Sequence, residues 1–155
     1  MATYSFKSVG KTQDQAVIET LTSSPIPFGI KTPLQLGTTE GLLSMNYSLD
    51  DQFADNLRNL LLTNWGERVG LYQFGANLKP LTTEFVSQDS FDSNAIGRIQ
   101  AAVGRWMPFV ELEDFTSTLD RNENNNTATI LVTVTYNIPA LNVSSRAVQI
   151  VLYVI

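Results

Sequence analysis

Residues 128–138, ATILVTVTYNI, alternate in character, with Ala128, Ile130, Val132, Val134, Tyr136 and Ile138 on one side and Thr129, Thr133, Thr135 and Asn137 on the other. A period of two, with β-branched and aromatic residues on the apolar side, specifies a half-buried strand. Such a strand cannot stand alone, because its apolar face needs a covering layer and its backbone needs neighbours. Residues 110–119 supply an antiparallel partner across the polar loop 120–127, whose RNENNN core is rich in Asn, a residue tolerant of left-handed backbone. After Pro139 and a short loop the chain runs into RAVQIVLYVI, where both faces turn apolar. A strand of that kind is expected to be covered on both sides. At a sheet edge it would also leave unpaired backbone donors and acceptors for something to cover.

Upstream of residue 108 the period is helical instead. Leu49, Phe53, Leu57, Leu60 and Leu61 recur on one face of SLDDQFADNLRNLLLTN and predict a helix over 49–63. Ser48 is placed to cap it, Asp50 and Asp51 sit where the helix dipole favours negative charge, and Asp51 takes the third position of a capping-box variant. Phe91, Ala95, Ile99, Ala102, Val103 and Trp106 form a second stripe, with Asp89 or Ser90 as cap and Pro108 as terminator. Residues 1–40 hold Pro25, Pro27, Pro33, Gly29 and Gly37 without any sustained period, which predicts an extended arm laid over the domain. The expected architecture is α+β: two main helices packed on one face of a small, mainly antiparallel sheet, with an extended N-terminal arm over 1–37 and a single domain over 38–155.

Composition narrows the chemistry. The chain has no His and no Cys, which removes the side chains most used as bases, nucleophiles and soft metal ligands near neutral pH. Zero Cys fits a reducing compartment. A formal net charge of −5 with 16% charged residues argues against a nucleic-acid or anionic-membrane footprint and favours protein partners. The first 15 residues lack the basic and apolar regions of a signal peptide, and residues 150–155 are too short an apolar run to span a bilayer. No phosphate-loop or GxGxxG pattern is present, and the RNENNN loop lacks the alternating acidic ligands of a calcium loop, so no cofactor and no metal is expected.

Residues 60–78, LLLTNWGERVGLYQFGANL, place a charged, glycine-bracketed turn directly after the first helix, in the manner of an organising joint. The ordered set Leu62, Thr63, Gly66, Glu67, Arg68, Phe74, Gly75 and Leu78, followed by a helix ending at an aromatic residue and proline and then by strands, resembles the baseplate wedge family of contractile-tailed phages. That family is often labelled lysozyme-like and includes a baseplate component of type VI secretion systems. The resemblance covers residues 38–155. Where the family carries a Glu-Pro-Arg triplet at the end of the helix, this chain has Met107, Pro108 and Phe109, with Trp106 keeping the preceding aromatic character and Arg105 as the nearest substitute charge.

The resemblance implies a non-enzymatic structural subunit of a contractile injection system, located in the virion tail baseplate and in the host cytoplasm during assembly. Its implied partners are other baseplate wedge proteins and the tail sheath protein, with no nucleic acid and no membrane. It also implies a sheath-initiator role, in which sheath assembly starts by strand exchange at the C-terminal sheet, over residues 143–155. The candidate partner-binding residues are Arg68, Trp106, Met107, Pro108, Phe109, Arg146, Ile150, Leu152 and Val154. Arg68 either reaches a partner carboxylate or ties its own loop to a domestic Asp or Glu, with the internal role favoured. Phe74 and Gly75 read as a core plug and a backbone turn, Trp65 as contact surface, and Trp106 equally as core or contact.

The alternative is a peptidoglycan-cleaving, lysozyme-like enzyme, which needs two carboxylates flanking one bond. Glu111 and Glu113 share a strand face near Asp114 and read as a solvated edge, while Asp50 and Asp51 serve a helix start. Glu67 lies beside Arg68, which favours its ionised form over the protonated form of a general acid. No catalytic residue is therefore assigned.

Overall fold

The structure, a computed structural model, describes residues 26–37, 42–84, 87–122 and 127–154. The expectations for residues 1–25, the arm boundary at 38, the tip of the RNENNN loop and Ile155 fall outside them. Two short strands, β1 (Gly29–Ile30) and β2 (Met45–Asn46), precede three helices, α1 (Leu49–Leu62), α2 (Lys79–Thr83) and α3 (Gln88–Trp106). Three strands of 12 residues each follow: β3 (Glu111–Asn122), β4 (Thr127–Ile138) and β5 (Val143–Val154). The fold is the expected α+β arrangement, with two antiparallel sheets of order β1-β2 and β3-β4-β5. No described helix is long and apolar enough to cross a membrane.

The central strand β4 organises the domain. It pairs antiparallel with β3 from Glu111↔Asn137 to Asn122↔Thr127, and with β5 from Ala128↔Val154 to Ile138↔Val143. Its even-numbered residues from Ile130 to Ile138 are all buried, as are Val148, Ile150 and Leu152 on β5. Against them pack Leu57, Leu60 and Leu61 of α1 and Phe91, Ala95, Ile99, Ala102 and Val103 of α3, the same stripes that the helical period marks. Helices α1 and α2 contact β5, whereas α3 contacts β3, so all of the helices lie on one face of the sheet.

Local capping differs from expectation at both long helices. Ser48 has the extended backbone of an N-cap but makes no side-chain cap bond. Asp50 and Asp51 instead meet the guanidinium of Arg146 on β5, at 2.7 and 2.9 Å. This pairing spans 96 residues and takes the acidic first turn into tertiary structure. Helix α3 begins two or three residues earlier than a cap at Asp89 or Ser90 would allow, because the Ser87 hydroxyl accepts from the backbone N–H of Ser90. Helix α2 has no counterpart in the periodic reading; it is five residues long, with Pro80 in its first turn.

The arm residues that the structure describes dock through polar contacts. A single carboxylate oxygen of buried Asp55 accepts from the Thr32 backbone N–H at 2.9 Å and from the Asn46 side chain at 2.7 Å. Phe28, Ile30, Leu34 and Leu36 remain exposed.

Among the described residues the opposite face of the large sheet is open. Thr129, Leu131, Thr133, Thr135, Ala147, Gln149, Val151 and Tyr153 are exposed or half-buried there without charge, and the charges of that face, Asp114 and Asp120, stand on β3 opposite Thr135 and Thr129. Val151 and Tyr153 are 44% and 67% exposed, so the covering expected on both faces of the terminal strand is absent from the described residues. The inward face behaves as a protein core with one flaw: the Tyr136 hydroxyl is buried without a hydrogen-bond partner among the described residues, and desolvation raises its pKa. Replacing it by Phe is expected to leave stability unchanged or raise it by about 1 kcal/mol, since an unpaired buried hydroxyl carries a desolvation penalty. Leu57→Ala, at a fully buried site of α1, is expected to cost about 2–5 kcal/mol. Denaturant midpoints of the two variants check both signs.

Candidate functional site: the joint cleft and the sheet edge

The segment after α1 folds back onto the helix that precedes it. A helix end leaves four carbonyls without intrahelical partners. Here the Ala76 N–H donates to Leu60 O at 3.0 Å and the Asn77 N–H to Thr63 O at 3.2 Å. Gly75 makes this return possible, with φ of +110° and a position where any Cβ would collide with the Thr63 carbonyl. Glu67 staples the turn, its two oxygens accepting from the Asn64 backbone at 2.7 Å and side chain at 2.9 Å. Those hydrogen bonds hold its carboxyl below the usual value of 4.5. From the far side, Arg98 donates to the Asn77 carbonyl and Arg105 to Gln73 Oε1, so α3 anchors the same loop.

Between α1, this loop and the end of α3 opens a cleft of about 710 Å³. Four of the candidate residues border it: Arg68, Trp106, Met107 and Phe109. The Arg68 guanidinium lies over the Phe74 ring at 4.4 Å and meets no carboxylate among the described residues. Phe74 in turn packs edge-on against Trp106, at 5.3 Å between centroids. Phe109 packs on Phe53 at 4.9 Å, Pro108 is exposed, and Met107 is buried in the core. The positions of the family triplet thus hold an apolar and aromatic wall. Asn56 and Asn59 of α1 and its C-cap Thr63 complete the cleft, and no periodic signal marks them as site residues. The loop also presents Trp65, Val69 and Tyr72 outward, with Val69 fully exposed.

The remaining candidates lie on β5, away from this cleft. Ile150 and Leu152 point into the core, Val154 is half-buried against it, and Arg146 is held by Asp50 and Asp51. Among the described residues β5 has β4 as its only sheet neighbour, so what it offers outward there is its backbone edge. The two sheet edges differ in kind. Strand β3 carries Glu111, Glu113, Asp114, Asp120 and Arg121 and breaks register between Leu112 and Asp114. Strand β5 has no charged residue from Ala147 to Val154 and keeps regular pairing over that span. Charges and bulges are the devices that keep an edge from pairing, and β5 has neither there.

No protein-family model matches the chain, and no curated protein matches it. Among solved structures, a chain of the anti-feeding prophage baseplate matches with a TM-score of 0.51 and 20% identity, over 79% of this chain and 82% of that one. A "putative tail lysozyme" from Geobacter sulfurreducens matches with a TM-score of 0.52 and 21% identity, over 68% and 89%. The shared feature is the fold. It agrees with the resemblance drawn from residues 60–78 and from the order of elements around them.

The Glu67 staple gives a pH-dependent prediction. A carboxyl whose folded pKa is lowered contributes stability above its ordinary value of 4.5, and that contribution is lost as the pH falls through the lower folded value. Glu67→Ala is therefore expected to be less stable than the parent at pH 7, with the difference closing as the pH falls well below 4.5. Paired urea titrations across that range provide the check.

Proposed function

We propose that this protein is a non-enzymatic structural subunit of a contractile tail baseplate, joining baseplate to sheath and seeding sheath assembly by strand exchange at β5. Its partners in this reading are other baseplate wedge proteins at the joint cleft and the tail sheath protein at the sheet edge. The subunit acts in the tail baseplate after assembly in the host cytoplasm. The single observation that carries the reading is the contrast between the two edges of the large sheet. One is charged and bulged, and the other is regular and free of charge over its last eight described residues. An extended segment adds to an edge of that second kind through main-chain hydrogen bonds. The likeness of the fold to a chain of a prophage baseplate supports the same setting.

The joint cleft fits a role in holding neighbours. Arg68 keeps guanidinium donors available beside an aromatic wall, in a position to meet a partner carboxylate. Trp65 and Tyr72 extend that surface outward, and exposed aromatic residues of this kind commonly anchor interfaces. A lysozyme-like reading asks for a protonated carboxylic acid facing a second carboxylate. Glu67, the acidic residue of the cleft, has both oxygens engaged by Asn64 and a lowered pKa, the reverse of what an acid catalyst needs.

Removing residues 150–155 would also remove Ile150 and Leu152 from the core, so truncation does not isolate the edge. The double substitution Val151→Lys with Tyr153→Lys does. Both side chains stand on the open sheet face, where exposed replacements usually shift stability by within about 0.5 kcal/mol. The variant is expected to fold with near-parental stability and to lose sheath co-assembly in a reconstituted tail. Sheath assembly at the parental level on that variant would overturn the proposal.

A further inference from the structure

Beneath the free edge of β5 lies a hollow of about 350 Å³, bordered by Val151, Leu152 and Tyr153 and by Leu61, Leu62 and Thr82 of α1 and α2. Three successive strand residues have side chains that alternate between faces. A space that touches all three follows the strand backbone, and since residues of β4 do not border it, it opens on the side away from β4. That is where an added strand would lie. Its inward-facing side chains would sit level with Leu152, in the layer between sheet and helices.

The walls define what fits. Leu61 and Leu152 are buried, Leu62 is 44% exposed, and together they make an apolar floor. Of the polar groups around it, the Thr82 hydroxyl donates to the Lys79 carbonyl at 2.8 Å, and Asn64 and Glu67 bond to each other, while the exposed Lys79 side chain stands at the rim. An uncharged polar side chain entering the hollow would exchange water for few new partners, whereas an apolar one would bury its surface and that of Leu62.

Resting on the strand-exchange reading above, we propose that this hollow is a side-chain subsite that selects the incoming strand. Its occupant is one large apolar side chain, of Leu or Phe size, on the inward face of the added segment and opposite Leu152. Main-chain pairing with β5 supplies a sequence-independent contribution, and this subsite supplies register and specificity. A one-residue slip would present the opposite face of the added strand to the hollow.

Two synthetic peptides test this against the full chain: Thr-Lys-Thr-Val-Xaa-Val-Thr-Lys-Thr, with Xaa either Leu or Thr. Both are titrated while the backbone amides of β5 are followed by NMR. Both peptides are expected to shift β5 amides, with the Leu peptide binding roughly tenfold tighter or more. Leu62→Trp, which fills the hollow from an exposed helix end, is expected to abolish that preference and leave the Thr peptide unchanged. Equal affinities for the parent, or an equal loss of both peptides on Leu62→Trp, would overturn the subsite while strand addition stands. If neither peptide shifts the β5 amides, strand addition itself is overturned, and the subsite with it.

Discussion

The apolar side of β4 holds the molecule together. Ile130, Val132, Val134, Tyr136 and Ile138 meet the stripes of α1 and α3, and the same strand supplies the backbone partners of both β3 and β5. Because β4 takes the centre, its neighbours are left as the two edges. Among the described residues the helices cover one face only, which leaves the sheet one buried face, one open face and two free rims.

The rims are not equivalent, and they differ both in side-chain charge and in backbone regularity. Repulsion and a broken register protect the acidic β3 rim, while the β5 rim ends in residues whose inward members belong to the core. Its outward members, Val151 and Tyr153, carry no charge to keep another chain away. A monomer gains nothing from such an edge, since an unprotected strand invites aggregation. An assembly subunit gains a place to start a sheet. The joint cleft and the hollow beneath that rim adjoin at Glu67, which borders both. The α1 helix links the two regions: Asp50 and Asp51 hold β5 through Arg146 at one end, and the Leu60 and Thr63 carbonyls hold the joint at the other.

Much of this was legible in the residues. The period of two over 128–138 located the central strand, and the helical stripes located α1 to within one residue at its C-terminal end. Signals carried by side chains that meet across the chain were not legible. Local rules assign Asp51 to a capping box, but its partner is Arg146, nearly the whole domain away in sequence. Helix α2 is too short to show a period. Arg68, Phe74 and Trp106 converge only once α3 folds against the joint, so the cleft could be named by its residue types but not drawn. The apolar character of Val151 and Tyr153 calls for cover, and the described residues leave them open. In the proposed reading a partner supplies that cover.

The most direct test of the account is amide hydrogen exchange along Ala147 to Val154, in the isolated protein and again in the assembled tail. In an edge strand only alternate amides point toward the neighbouring strand, so the isolated protein should show an alternation of slow and fast exchange along β5. On assembly the fast set should become protected. Uniform protection of β5 in the isolated protein, or an alternation that persists unchanged in the assembled tail, would contradict the claim that this edge is kept free to start a sheet with another chain.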